Sequence, residues 1–262
     1  MSEIHARGVP GLPEIQAGAD VAEIILAALS SERTARALRD GDIVSIVHKV
    51  VSKAEGATID LRSVVPSPRA LQLAADLSAD GRMPNKDPRA VQVVLDRSAE
   101  VLRAENGVLI CRTHHGFVCA NAGVDASNST DEETLIVLPN DPDASARRIR
   151  ARLRELTGAR VGVLISDSFG RAWRHGQCDI AIGCAGLTPL DDWRGRSDSE
   201  GRELRATWLA VADAIAALAD LARAKDSREP VVVVEELDRF VTDGDGPGAL
   251  ALIRPIEEDL FR

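Results

Sequence analysis

The apolar and polar positions divide the chain into alternating strand-like and helix-like stretches. Residues 8–15, GVPGLPEI, hold too much glycine and proline for a regular element and read as a connecting loop. Asp20 then opens a helix, with Glu23 in capping-box spacing and Val21, Ile24, Ile25, Ala28 and Leu29 along one face. A turn at 39–42 leads into Ile43–Val51, a run that reads as a buried strand broken by Ser45, His48 and Lys49. Ser67-Pro68 and Asp87-Pro88 each start a helix. Residues 107–120 predict two strands reversing near His115-Gly116, and 134–139 a further strand. Asp143 is expected to cap an arginine-rich helix that stops near Gly158, its arginines solvated or at a subunit contact. Val161–Ile165 forms a strand that ends in Ser166-Asp167-Ser168, with a sharp turn at Gly170. After an apolar strand from Cys178, Glu203–Lys225 predicts the longest helix, with Leu204, Trp208, Val211, Ile215 and Leu218 on one side. Residues 230–237 give a last strong strand.

That order predicts an α+β (mixed α/β) protein with mixed sheets, packed helices and two closely joined lobes. No repeat or long linker interrupts it, so residues 1–262 read as a single domain whose lobe boundaries the pattern leaves open.

Composition narrows the function classes. A formal net charge of −9 argues against nucleic acid and acidic membrane surfaces as partners. No stretch approaches the roughly 20 apolar residues of a membrane span, and the N-terminal segment has no apolar signal core, so a cytoplasmic location is expected. Cys111, Cys119, Cys178 and Cys184 have no CxxC spacing and sit among apolar neighbours, which suits buried reduced thiols. An anionic substrate would need a local basic site, and 28 of the 32 basic residues are arginine.

The stretch VGVLISDSFGRAWRHG (161–176) carries the sharpest chemistry. A carboxylate at the end of a stiff strand, with hydroxyls beside it and Arg171 and Arg174 following, suits a metal bound to phosphate; an Asp167 that merely caps the next turn is the alternative. Asp125 lies among the small residues of NAGVDASN, which let a ligand approach the backbone. If its strand neighbours that of Asp167, the two carboxylates grip one or two divalent cations. Lys53, just past the run at 43–51, is either solvated or a phosphate ligand. His114 and His115, at a hairpin tip, are left out of the site.

GLPEI, VVSKAEG, NAGVDASN, SDSFGRAW, GRELRATWLAVADAIAALADL and RPIEEDLF stand in this order along the chain. Together they resemble the coenzyme F420:L-glutamate ligases, which add γ-linked glutamates to a deazaflavin cofactor. The resemblance runs from about Gly8 onward and looks like the actinobacterial type, without the nitroreductase-like domain that often follows the ligase there. It implies a GTP-dependent ligation of L-glutamate to the carboxylate of the precursor F420-0 through an acyl phosphate. It also implies two divalent cations (magnesium or manganese), potassium as a further candidate, and an intertwined homodimer. By motif, Leu12, Pro13, Glu14 and Ile15 would meet the nucleotide through their backbone, Lys53 its phosphates, and Asn128 and His48 the nucleotide, His48 where relatives often have serine. Asp125 and Asp167 would bind metal, with Ser168 a hydroxyl ligand in place of the more usual threonine. Arg171 and Arg174 are added here as groups for substrate or phosphate oxygens. Where archaeal relatives carry a glycine-rich nucleotide loop, this chain reads LARAKDSREP, in which Lys225 would supply a phosphate contact and selection of guanine is weakened. A paralogous amide ligase for another carboxylate, or a non-catalytic nucleotide-binding protein, are the alternatives.

Overall fold

The structure is a computed structural model that describes residues 3–31, 36–79, 85–126, 131–224 and 226–259. β1 (His5–Gly8) leads into the glycine- and proline-rich segment, which stays irregular up to α1 (Val21–Leu29). Asp20 caps α1 as its spacing predicts, accepting from the Glu23 amide at 3.1 Å. β2 (Ile43–Val47) passes directly into α2 (His48–Ala54), so the expected strand through Val51 is cut short. Val50 and Val51 are buried by the helix as they would be by a strand, and so short an apolar run does not distinguish the two. Across the new turn, His48 Nδ1 and Ser52 Oγ, four residues apart, meet at 3.2 Å.

A second lobe follows, with β3 (Thr58–Asp60), α3 (Pro68–Ala79), α4 (Pro88–Asp96), β4 (Ser98–Glu105), β5 (Val108–Thr113), β6 (Val118–Ala120) and β7 (Thr134–Ile136). Both proline-marked helices start where the sequence places them. β5 and β6 reverse around His115-Gly116 as expected, and β4, which the pattern did not announce, pairs with β5 to give the order β4-β5-β6, while β3 pairs with β7. Two small cores, around Ala74, Leu109 and Cys111 and around Leu61, Val93 and Val137, belong to this lobe.

α5 (Pro142–Thr157) is, at 16 residues, longer than the helix expected to be longest. Asp141, not Asp143, caps it, accepting from the Ala144 amide at 2.8 Å. Asp143 is buried and accepts the amides of Cys184 and Ala249, each at 2.8 Å, so it ties the helix to later strands and to the C-terminal segment. Gly158, at φ 74, ends the helix in the left-handed conformation glycine adopts without strain. Of the α5 arginines, Arg150 is not solvated. It is buried and bonds the carbonyl oxygens of Val161 and Thr242 and the carboxylate of Asp245.

β8 (Gly162–Arg171) and β9 (Arg174–Ala185) form a long hairpin, followed by β10 (Leu190–Asp192), β11 (Trp208–Ala210), α6 (Val211–Ala222) and β12 (Val231–Glu235). The predicted helix from Glu203 therefore starts eight residues late. Trp208–Ala210 pair instead with Leu190–Asp192, and the Trp208 ring stacks under Arg194 at 4.3 Å. Five strands make the main sheet in the order β1-β12-β2-β8-β9, in which β2 and β8 are the parallel pair. One face packs on α1 and α5 through Ile25, Leu29, Ile149 and Leu153; the other packs on α6 through Ile215 and Ala216. Both faces being covered explains why β2 and β12 are almost continuously apolar. The fold is thus the expected mixed α+β arrangement in two joined lobes. No helix among the described residues is long and apolar enough to cross a membrane. The four cysteines form no disulfide, and three are buried.

Candidate active site

β2 and β8 run parallel and leave the sheet side by side, with Val47 opposite Ser166. The next residue on each is a polar one, His48 and Asp167. Carboxyl ends of adjacent parallel strands are where open α/β sheets place their ligands. β8 does not stop at Ser168 and turn at Gly170 as expected. It continues to Arg171 against β9, with a register shift between Ile165 and Ser166. The shift re-aims the side chains beyond it. From there Ser166 and Ser168 point to one face and Asp167 to the other.

On the Asp167 face, burial first, then the nearby charges of Asp179 and Asp125, push the Asp167 carboxyl up to about 7 against the pull of the Ser168 amide, 2.8 Å from Oδ1. His48 Nε2 lies 3.4 Å from Asp167 Oδ1. Burial first, and then the Lys49 charge, hold that imidazole down at about 4, so it is neutral near pH 7 and the approach is not an ion pair. Asp125 is held by an antiparallel bridge to Ile136, its amide donating at 2.9 Å. The turn before it needs Gly123, at φ +70, where a Cβ would stand 2.7 Å from Leu138 Cγ. Lys49 Nζ sits 2.7 Å from Asp125 Oδ2. Lys53, one helical turn on, pairs with Glu14.

The opposite face is a closed polar cluster. Ser166 Oγ donates to Asp179 Oδ2 at 2.8 Å, Ser168 Oγ donates to Asp179 Oδ1 at 2.6 Å, and Arg223 Nη2 pairs with Asp179.

The structure brings together Asp125, Asp167, Lys53 and the segment containing Glu14. Within that segment Ile15 is buried while Pro13 and Glu14 are exposed and Leu12 is partly covered. His48, 2 % exposed, backs Asp167 and presents no open face to a nucleotide. Arg171 and Arg174 face each other across the exposed hairpin tip, Arg171 bonding the His175 carbonyl at 2.7 Å, and are not brought to Asp167. Asn128 and Lys225 lie outside the described residues. His115 directs Nε2 to the Pro139 and Asn140 carbonyls.

Lys49, Asp179 and Arg223 were not assigned from sequence. Lys49 becomes visible only if residues 48–54 are a helix, because it then shares a face with Lys53. Asp179 had a weak signal, a lone carboxylate entering an apolar strand. Arg223 had none.

The donors on the Asp167 face are carboxylates, the set a hard divalent cation takes, and a cation would relieve the repulsion that raises Asp167. Among the described residues no three His, Cys, Asp or Glu side chains form a ready-made metal cage. That fits magnesium-like use, in which one or two carboxylates hold the ion and substrate phosphates complete its shell.

The fold is of the mixed α+β class, with carboxylates and lysines gathered where the parallel pairing of its main sheet ends. The comparisons give the family. A family model described as F420-0:Gamma-glutamyl ligase matches residues 11–236. The chain is 42% identical over 256 residues to the coenzyme F420:L-glutamate ligase of Methanothermobacter thermautotrophicus, covering 97% of each. It is 43% identical over 226 residues to that of Methanocaldococcus jannaschii, covering 86% of each. Against that of Halobacterium salinarum it is 44% identical over 260 residues, covering 99% of this chain and 96% of the relative. The chain belongs to the F420-0:gamma-glutamyl ligase family.

Proposed function

We propose that the chain joins L-glutamate to the carboxylate of the deazaflavin precursor F420-0 in a GTP-dependent amide ligation, and that it extends the γ-linked tail by repeating the step. Family membership supports the acid and the amine. The observation that carries the chemistry is Asp167, a half-buried carboxyl near Asp125 at the end of the parallel pairing, 3.4 Å from His48 Nε2 and pushed up to about 7.

A carboxylate oxygen is a poor leaving group, so the acid is first phosphorylated: its oxygen bonds the terminal phosphorus of GTP and the bond to GDP breaks. The glutamate amine, having lost a proton, attacks the acyl carbon, and inorganic phosphate leaves with that oxygen. Asp125 and Asp167 would hold a divalent cation, magnesium or manganese, whose charge would offset that building during phosphoryl transfer. Asp167 must give up its proton to hold it. Lys53 exchanges Glu14 for nucleotide phosphate, which draws the 12–15 backbone over the nucleotide. Lys49 exchanges Asp125 for an anionic oxygen in the same way. Asn128 and Lys225 complete the nucleotide contacts in this reading, and the homodimer belongs to it too. The hairpin tip is exposed, so Arg171 and Arg174 would reach a site only in a neighbouring copy.

Incubation with GTP, L-glutamate and manganese, with and without F420-0, tests the proposal by product mass. A precursor heavier by one or more glutamyl residues, together with GDP, is expected. Nucleotide turnover with a different acid and none with F420-0 would overturn it, as would nucleotide binding without turnover.

A further inference from the structure

We infer that Arg223 is a resident cation of this site, standing on the face where the family resemblance implies Ser168 as a metal ligand, so that the chain itself holds one divalent cation rather than two. The inference rests on the ligase reading above and changes its cation set.

A metal at Ser168 needs hydroxyl and carboxylate oxygens with negative charge to spare. Ser168 Oγ gives its proton to Asp179 Oδ1 at 2.6 Å, and Ser166 Oγ gives its own to Oδ2 at 2.8 Å. Both carboxylate oxygens are therefore engaged before any metal arrives. The Asp179 carboxylate pairs with the guanidinium of Arg223, which also approaches Ser166 Oγ at 3.3 Å and lies 4.0 Å from Asp220 Oδ1 through Nε. The Asp179 and Arg223 side chains are 1% and 7% exposed, so water does little to screen the pair. Guanidinium does not lose its proton in proteins. A divalent ion entering this cluster would meet a permanent like charge in a medium of low dielectric, and an Asp179 carboxylate already hydrogen-bonded and ion-paired.

Arg223 also keeps donor capacity in reserve. Its Nη1 is buried and has no hydrogen-bond partner. Arg150, also buried, spends Nε, Nη1 and Nη2 on carbonyl oxygens and Asp245. A buried guanidinium edge left unpaired is costly unless something completes it. An anionic oxygen of a phosphate or carboxylate is the group it fits, because guanidinium N–H groups make their strongest hydrogen bonds to such oxygens. The sequence places Arg223 at the C-terminal cap of α6, on the same segment, LARAKDSREP, that replaces the glycine-rich loop.

Manganese binding to the full-length chain, with Mn2+ as the sole added ligand, tests the assignment by equilibrium dialysis and electron paramagnetic resonance. The wild-type chain should bind one Mn2+, Asp167→Asn none, and Arg223→Gln two. A wild-type count of none or two overturns the inference, and so does an Arg223→Gln count that stays at one. If Arg223→Gln does not fold, Ser168→Ala decides: the count stays at one when Arg223 holds that face and falls when Ser168 is a ligand. No count depends on product, so a failed ligase reading shows itself separately, as absence of glutamyl product from a chain that still binds manganese.

Discussion

The two ends of the β8–β9 hairpin hold similar residues and do different things. At its base, Ser166, Asp167, Ser168 and Asp179 are buried or half-buried, and burial, joined by the charges of Asp179 and Asp125, pushes Asp167 up to about 7. At its tip, residues 170–177 are all exposed, and Arg171 has a neighbouring carbonyl for company. Asp167 and Arg171 are four positions apart. In a helix that spacing brings side chains together, but in a strand it separates them by about 13 Å. Depth sets the rest of the contrast. Charges at the base act through a poorly screened interior, whereas those at the tip are screened by water and salt within about 8–10 Å.

The largest expected effect breaks the base. Asp167→Asn and Asp125→Asn each keep side-chain size and remove the charge that holds a cation, so turnover should fall by about 10³-fold or more. Circular dichroism should show an unchanged fold. Retained turnover at saturating manganese in either variant would remove that residue from the site.

Much of this was legible beforehand, and the misses share a cause. Asp125, Asp167 and Lys53 stood out as polar groups at the ends of apolar runs, and the structure gathers them. Arg171 and Arg174 stood out for the same reason and are stranded at the tip, because nothing in SDSFGRAW distinguishes a strand that ends from one that bulges and continues. The helical α2 was hidden inside an apolar run, and with it the partnership of Lys49 and Asp125. Asp143 and Arg150 looked like surface chemistry, yet each satisfies backbone groups of a segment about 100 residues away in sequence. Local pattern reports which residues are buried or polar; long-range pairing decides what a polar residue is for.

Proton competition sharpens the same contrast. The folded-state value of Asp167, about 7, lies above its ordinary 3.8, so between these values the folded chain keeps a proton that the unfolded chain has released. The group's stabilising contribution is complete below about pH 3.8 and is lost as pH rises through about 7. In cation-free buffer, Asp167→Asn should therefore be more stable than wild type at about pH 8, on the order of 2–4 kcal/mol, with the difference closing toward about pH 4. Manganese should reverse the order by binding wild type alone. Its affinity should drop about tenfold per pH unit below about 7, because each ion displaces one proton. A flat pH profile would mean that Asp167 is already ionised and that its neighbours do not crowd it.

The nucleotide side should respond less. Lys53→Ala removes an ammonium that pairs with Glu14 in the free chain and with phosphate in the proposed complex, so the two losses partly cancel. GTP binding should weaken by about tenfold while glutamate binding changes little. Calorimetric titration with each ligand checks this, and equal losses for both would return Lys53 to a surface role.

The smallest effect is expected at the tip, and it is the one that can redraw the comparison. Arg171→Lys and Arg174→Lys keep charge on an exposed hairpin end, and exposed substitutions of this kind change stability by no more than about 0.5 kcal/mol. Within one chain, a side chain roughly 13 Å along the strand from Asp167 cannot touch the acid being activated. Steady-state kinetics should therefore show KM for F420-0 and kcat within about twofold of wild type. A tenfold rise in KM for F420-0, with GTP affinity unchanged, would mean that the tip works in a site other than its own chain's, which requires the hairpin to reach into a second copy. Mixing then decides. An Asp167→Asn chain has a broken base and an intact tip, and an Arg171→Lys chain has the reverse. If the tip serves a neighbour, a mixed assembly of the two regains activity that neither has alone. If the tip serves no site, mixing adds nothing beyond the activity of the Arg171→Lys chain.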